Sequence, residues 1–203
     1  MPAIGITGGV ATGKSTFCDC LRPFFPNAKF FDADRAAHEL VDLAEIKAEL
    51  ATAFGPEIFL KTGDLNRATL RAIVFGDAAK RRVLEQILHP RIRRQWSALA
   101  ETHHQSHEFF FADIPLLYET DGEKLCDRVL VVACSREIQL ARLNKKAIGP
   151  EEAEQMISAQ MPLPEKIRRA DHVVWNNGER SVLEEQARLL AALWSSQNGR
   201  NLD

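Results

Sequence analysis

Apolar positions along this chain follow two rhythms, and their alternation predicts the fold class. Residues 3–7 form a short apolar run that reads as a buried strand. Residues 14–25 then place Phe17, Leu21, Phe24 and Phe25 on or near one side of a helix, with Pro23 marking its end. A second strand at 28–31 ends at Asp32-Ala33-Asp34. Across 35–105 the strand rhythm disappears. Helical spacing runs through Leu40, Val41, Ile46 and Leu50, then through 65–75 and 82–88, and Pro90 is expected to open a further helix at 91–102. Strands return at 108–113, 128–133 and 172–175, with helices at 137–144, 151–160, 164–170 and 181–194 between and after them. Continuously apolar strands separated by helices predict an α/β fold, a doubly wound parallel five-stranded sheet covered on both faces. The polar tail at 195–203 is expected to fray.

Composition narrows the class of function. The 203 residues are 45% apolar and 27% charged, ordinary for a globular chain able to bury about 70% of its unfolded surface without a disulfide or metal staple. A net charge of −2 lacks the basic bias of a nucleic-acid binder, so no nucleic-acid partner is expected. No stretch has the roughly 20 apolar residues of a membrane span, and no basic-apolar-small signal pattern opens the chain; a cytoplasmic protein without a membrane partner is expected. Cys18, Cys20, Cys126 and Cys134 have no metal-knuckle spacing and read as reduced, buried thiols.

The chemistry is concentrated after the first strand. Gly8-Gly9-Val10-Ala11-Thr12-Gly13-Lys14-Ser15 matches the phosphate-loop pattern G-x-x-x-x-G-K-[ST], with a strand before it and a helix after it. Glycine lets backbone N–H groups turn inward around phosphate oxygens, and the helix start adds unsatisfied amides and the positive end of its dipole. The Lys14 ammonium can reach the β- and γ-phosphates of ATP, and the Ser15 hydroxyl is a hard oxygen ligand for the accompanying Mg²⁺. Asp32 and Asp34 stand at the end of the second strand, where ligands bind in open α/β sheets. A carboxylate there can accept the proton of an attacking hydroxyl or order the Mg²⁺ shell; capping the next helix is the structural alternative for either.

Several stretches in order resemble the dephospho-coenzyme A kinase family, over nearly the whole chain. They are Ile6-Thr7-Gly8-Gly9 through Lys14-Ser15-Thr16, Asp32-Ala33-Asp34, and Leu65-Asn66-Arg67 with Leu70-Arg71 and Val74-Phe75. Leu88-His89-Pro90, Pro115-Leu116-Leu117-Tyr118-Glu119, Gln139-Leu140-Ala141-Arg142-Leu143, and Ala170-Asp171 with Asn176-Asn177-Gly178 continue the series. The resemblance implies a single P-loop kinase domain over 1–203, with a helical substrate-binding insertion at 35–105 and a lid at 142–164. It implies ATP on Ala11, Thr12, Gly13, Lys14, Ser15, Thr16 and Asn177, with Mg²⁺ on Ser15. It implies Asp34 as the base that takes the proton of the ribose 3′-hydroxyl of dephospho-coenzyme A, with Lys14 and Arg142 stabilising charge on the transferring group. Thr7, Asp34, His89, Leu116, Leu117 and Glu119 are the implied substrate-binding residues, and a monomer or small homo-oligomer is expected. The product would be coenzyme A, in the last step of its biosynthesis.

The chain departs from the family pattern at Ala11-Thr12, where Gly-Ser is usual, at Asn66, where aspartate is common, and at Lys146-Ala147, which replaces an Arg-Asp pair in a lid one residue short. The added Cβ of Ala11 would strain a left-handed backbone. Another small-molecule or nucleotide P-loop kinase is the rival reading, and a nucleotide-binding switch the rival from another class. Asn144-Lys145-Lys146-Ala147 lacks the carboxylate of a guanine-reading motif, and Asp113-Ile114-Pro115-Leu116 lacks the glycine of a GTPase switch. His103, His104 and His107 read as a solvated helix end. Arg91, Arg93 and Arg94 read equally as a solvated face or as a binder of substrate phosphates.

Overall fold

A computed structural model describes residues 3–104 and 108–197. The chain divides into two units, one built from Met1–Phe31 and Leu99–Asp203, the other from Asp32–Ala98. The first unit holds a sheet of β1 (Ala3–Gly8), β2 (Lys29–Asp32), β3 (Phe110–Asp113), β4 (Arg128–Ala133) and β5 (His172–Trp175). The strands are parallel and lie in the order β2-β3-β1-β4-β5. Register places Ile6 opposite Asp113 and Gly8 opposite Val132, so the carboxyl ends of β1, β3 and β4 share one edge.

Strand alternation sorts β1 onto two faces. Ile4 and Ile6 face a core with Phe17 and Leu21 of α1 (Lys14–Leu21), Leu130, Val132 and Val174, and with Leu183, Ala187, Ala191 and Trp194 of α9 (Arg180–Gln197). Each large side chain buried there contributes about 1.5–3 kcal/mol. Phe25, Phe109 and Phe111 extend this core as a cluster of rings with centroids 4.6–5.8 Å apart. On the opposite face, a Cβ at Gly5 would lie 2.7 Å from Leu117, so only glycine lets the chain after β3 close down on the strand.

The second unit contains α2 (Ala33–Leu40), α3 (Ala44–Phe54), α4 (Arg67–Phe75) and most of α5 (Ala78–His104), around a core of Leu40, Ile46, Leu50, Phe54, Ile58 and Leu70. Asn66 caps α4 by accepting the Thr69 N–H at 3.2 Å, a duty aspartate performs equally well.

Three expectations are corrected. Pro90 does not open a helix: α5 runs continuously through it. The ring removes one backbone bond, and within the same turn the Arg91 guanidinium donates to the Ile87 carbonyl at 2.6 Å while pairing with Glu49 at 2.5 Å. Helix α1 stops at Leu21, and Pro23 sits in a 3₁₀ turn, Arg22–Phe24. Ser195 does not fray; it is buried within α9, beside Trp194, whose indole donates to His172 at 3.1 Å. Residues 198–203 and His107, and the side chains of His103 and His104, lie outside the described residues. The four cysteines are unpaired by disulfides, with Cys126 half-buried and the others buried.

Candidate functional site

The loop between β1 and α1 is shaped by two left-handed residues, Ala11 (φ 58°) and Gly13 (φ 92°). Gly13 precedes α1, which has no side-chain cap and no acidic residue in its first turn. Three other helix starts differ: Asp32 caps α2, Asn66 caps α4 and Ser135 caps α6 (Arg136–Asn144). The first amides of α1 therefore stay open to an external acceptor.

Side chains from distant elements engage the carbonyls on the outside of this loop. Gln139 of α6 donates to the Val10 carbonyl at 2.7 Å. Arg142, one turn further on, donates to those of Ala11 (3.2 Å) and Thr12 (3.1 Å) and, with its other nitrogen, to Asn176 (2.9 Å). The buried Asn176 amide donates to the Thr12 carbonyl at 2.8 Å, and the Thr12 hydroxyl closes onto Gly9 at 2.9 Å. In a trans peptide the carbonyl of one residue and the N–H of the next point opposite ways. Holding the Val10 and Thr12 carbonyls outward thus turns the Ala11 and Gly13 N–H groups toward the other side of the loop. These donors, the α1 amides and Lys14 form a set that can receive phosphate oxygens.

The exposed Ser15 hydroxyl is available at the first turn of α1. Asp113, at the end of β3, is buried with one carboxylate oxygen 3.9 Å from the Cys18 sulfur. Burial, then the Asp113 charge, holds the Cys18 thiol well above its ordinary pKa, so it stays protonated and donates to that carboxylate. No cluster of three or more acidic, histidine or cysteine side chains able to hold a metal occurs among the described residues.

The turn after β3 is held just as firmly. Thr7 has no exposed surface and donates its hydroxyl to the Pro115 carbonyl at 3.1 Å. Leu117 is fully buried against Gly5, and Leu116 is half-buried. Glu119 is not free: its Oε1 accepts from the Met161 N–H (2.8 Å) and pairs with the buried Lys166 (2.9 Å). The Arg169 guanidinium lies 4.3 Å from the Tyr118 ring centroid, and burial pushes the Tyr118 hydroxyl up to about 12.

Asn177 is exposed after β5 and accepts the Ser135 N–H at 2.8 Å. In the second unit, Asp32 takes the capping role by accepting the Arg35 N–H at 3.0 Å, while Asp34 is exposed on the first turn of α2. His89 is half-buried on α5, and burial pushes its imidazole pKa down. The sequence reading missed Asn176, Gln139 and Lys166 as parts of the site. The first two lie inside motifs it quoted; Lys166 had no local signal.

A phosphate-type loop at the carboxyl edge of a β2-β3-β1-β4-β5 parallel sheet defines a P-loop kinase fold. The family model for dephospho-CoA kinase matches residues 2–181, and the chain belongs to that family. It is 42% identical to the dephospho-CoA kinase of Anaeromyxobacter dehalogenans, covering 100% of this chain and 96% of the relative. It is 39% identical to that of Geobacillus kaustophilus, covering 95% and 96%. Among solved structures, TT1252 from Thermus thermophilus superposes with a TM-score of 0.75 at 32% identity over 95% of this chain and 97% of that one. Shikimate kinase from Acinetobacter baumannii, with a TM-score of 0.58 at 14% identity over 97% and 94%, shares the fold alone.

Proposed function

We propose that the protein transfers the γ-phosphoryl group of ATP to the ribose 3′-hydroxyl of dephospho-coenzyme A, giving ADP and coenzyme A. The observation that carries this reading is the family match over residues 2–181, which includes the braced loop. The hydroxyl oxygen bonds to the γ-phosphorus as the bond to the β-phosphate oxygen breaks, and Asp34 takes the hydroxyl proton. Lys14 and the amides of residues 11–16 neutralise the phosphates, and Arg142, which braces the outer carbonyls of the loop, is assigned by the family resemblance to stabilise charge on the transferring group. Asn177 borders the adenine. Leu116 and His89 are assigned to binding the acceptor, and Thr7, Leu117 and Glu119 hold the turn that carries Leu116.

Mg²⁺ fits a site with a single serine hydroxyl when the nucleotide supplies most of its oxygens; it would sit on Ser15 and neutralise charge between the β- and γ-phosphates. Residues 35–105 serve as the substrate-binding insertion and 142–164 as a lid whose closure keeps water from competing as acceptor. The protein works in the cytoplasm on small molecules, as a monomer or small homo-oligomer.

The test is a panel of acceptors at fixed ATP and Mg²⁺: dephospho-coenzyme A, shikimate and nucleoside monophosphates. Coenzyme A formed from the first, with at least roughly 100-fold lower kcat/KM for the others, is expected. Folded protein that makes no coenzyme A would reject the assignment, and phosphorylation of another panel member would replace it.

A further inference from the structure

Lys166, on α8 (Leu163–Arg169), lies outside every motif that carries the family resemblance, yet its side chain is fully buried. Its Nζ donates to the Pro115 carbonyl at 2.7 Å, pairs with Glu119 Oε1 at 2.9 Å and reaches the Gly8 carbonyl at 3.4 Å. The three ammonium donors thus meet three acceptors, and the cation needs no water. Glu119 Oε1 also accepts the Met161 N–H, and the Pro115 carbonyl also accepts the Thr7 hydroxyl. One buried charge therefore joins the end of β1, the turn after β3 and the approach to α8. Stability alone does not call for this, because an apolar pair of similar volume often stabilises a fold as well as a buried ion pair.

We propose that Lys166 is a positioning residue for the phosphoryl transfer: with Glu119 as its counter-ion, it sets the turn at 115–119 against the mouth of the phosphate loop. The proposal rests on the reading above, in which that turn serves the acceptor. Glu119 then acts through Lys166 rather than on the substrate. The short contacts are to Pro115 and Glu119 and the long one to Gly8, so losing the ammonium should disturb the acceptor more than ATP.

The pair has a signature that a packing role lacks. Burial lowers the Lys166 pKa, Glu119 opposes the shift, and Lys14 adds to it; these are the charged groups whose fields act on the ammonium. Removing the Glu119 charge leaves burial and Lys14 unopposed, so the proton leaves Lys166 at lower pH than in the parent. Over the interval between that lowered folded-state pKa and the unfolded value, the unfolded chain holds more protons. The variant's stability therefore rises with pH there.

The experiment compares Lys166→Met, Glu119→Gln and the double variant with the parent in the full chain. It measures kinetics with ATP, Mg²⁺ and dephospho-coenzyme A, ATP affinity, and Tm against pH. Lys166→Met is expected to lower kcat/KM for the acceptor on the order of 100-fold while ATP affinity stays within about threefold. The double variant is expected to be no worse than Lys166→Met, because the pair acts as a unit. In Glu119→Gln, the Tm deficit should shrink as pH rises, and kcat/KM should fall through a range where the parent is flat. If the folded fraction of each variant keeps the parental acceptor KM, kcat and pH profile, or if the Glu119→Gln deficit does not depend on pH, the proposal is overturned. Should Lys166→Met fail to fold, Glu119→Gln carries the same test. Tm and ATP affinity need no acceptor, so a parent that makes no coenzyme A rejects the assigned reaction while the ion pair is still tested.

Discussion

The phosphate loop and the first turn of α2 carry the two halves of the proposed chemistry, and they are built in opposite ways. In the loop, Gln139, Arg142 and Asn176 engage the carbonyls of Val10, Ala11 and Thr12, and the helix behind opens without a side-chain cap. At α2, Asp32 closes the helix start and Asp34 is left exposed. The difference matches what each half would do in the proposed reaction. Binding a charged group that builds up negative charge requires donors fixed in advance, because reorganising them during reaction would cost much of the stabilisation. Taking a proton requires a carboxylate that the acceptor can reach.

Substitutions can break this contrast. Lys14→Ala should have the largest effect, lowering kcat/KM on the order of 10³-fold and weakening ATP binding, measured by steady-state kinetics and titration. Asp34→Asn should lower kcat by about 10²–10⁴-fold at unchanged ATP affinity, while Asp32→Asn, which keeps a capping oxygen, should leave kcat near the parent value. If the two aspartate variants behave alike, the division between cap and base is wrong. Asn176→Ala removes a buried donor from the Thr12 carbonyl and should cost about 1–3 kcal/mol in denaturant unfolding, with ATP bound roughly tenfold more weakly. Ala11→Gly should have the smallest effect and the opposite sign. It relieves a left-handed alanine, so unfolding should become harder by about 1 kcal/mol with little change in ATP affinity.

The same contrast explains what the sequence made legible. The strands, the phosphate loop and most helices announce themselves through local periodicity, and β4 and β5 fall where the apolar runs stand, at Arg128–Ala133 and His172–Trp175. Pro90 misled because a first-turn preference is a local rule, whereas the helix continues through the proline with Arg91 bonded to Ile87 and Glu49. The braces were hidden for a different reason. Asn176 and Lys166 meet the loop across 164 and 158 residues of chain, and no local spacing encodes such a contact. Glu119 was visible as part of the Pro115–Glu119 motif, but its ion-pair partner Lys166 was not. Asp32 and Asp34 looked alike in sequence; the bond from the Arg35 N–H separates them.

The central claim is that the amides at the start of α1 receive the phosphates of the nucleotide. Backbone amide NMR of the full chain, recorded as ATP and Mg²⁺ are added, measures this directly. The Ala11, Gly13, Lys14 and Ser15 resonances should move most, while those of the Ile46 and Leu50 core of the second unit stay in place. Saturating ATP that leaves the loop amides unshifted and moves another region instead would contradict it.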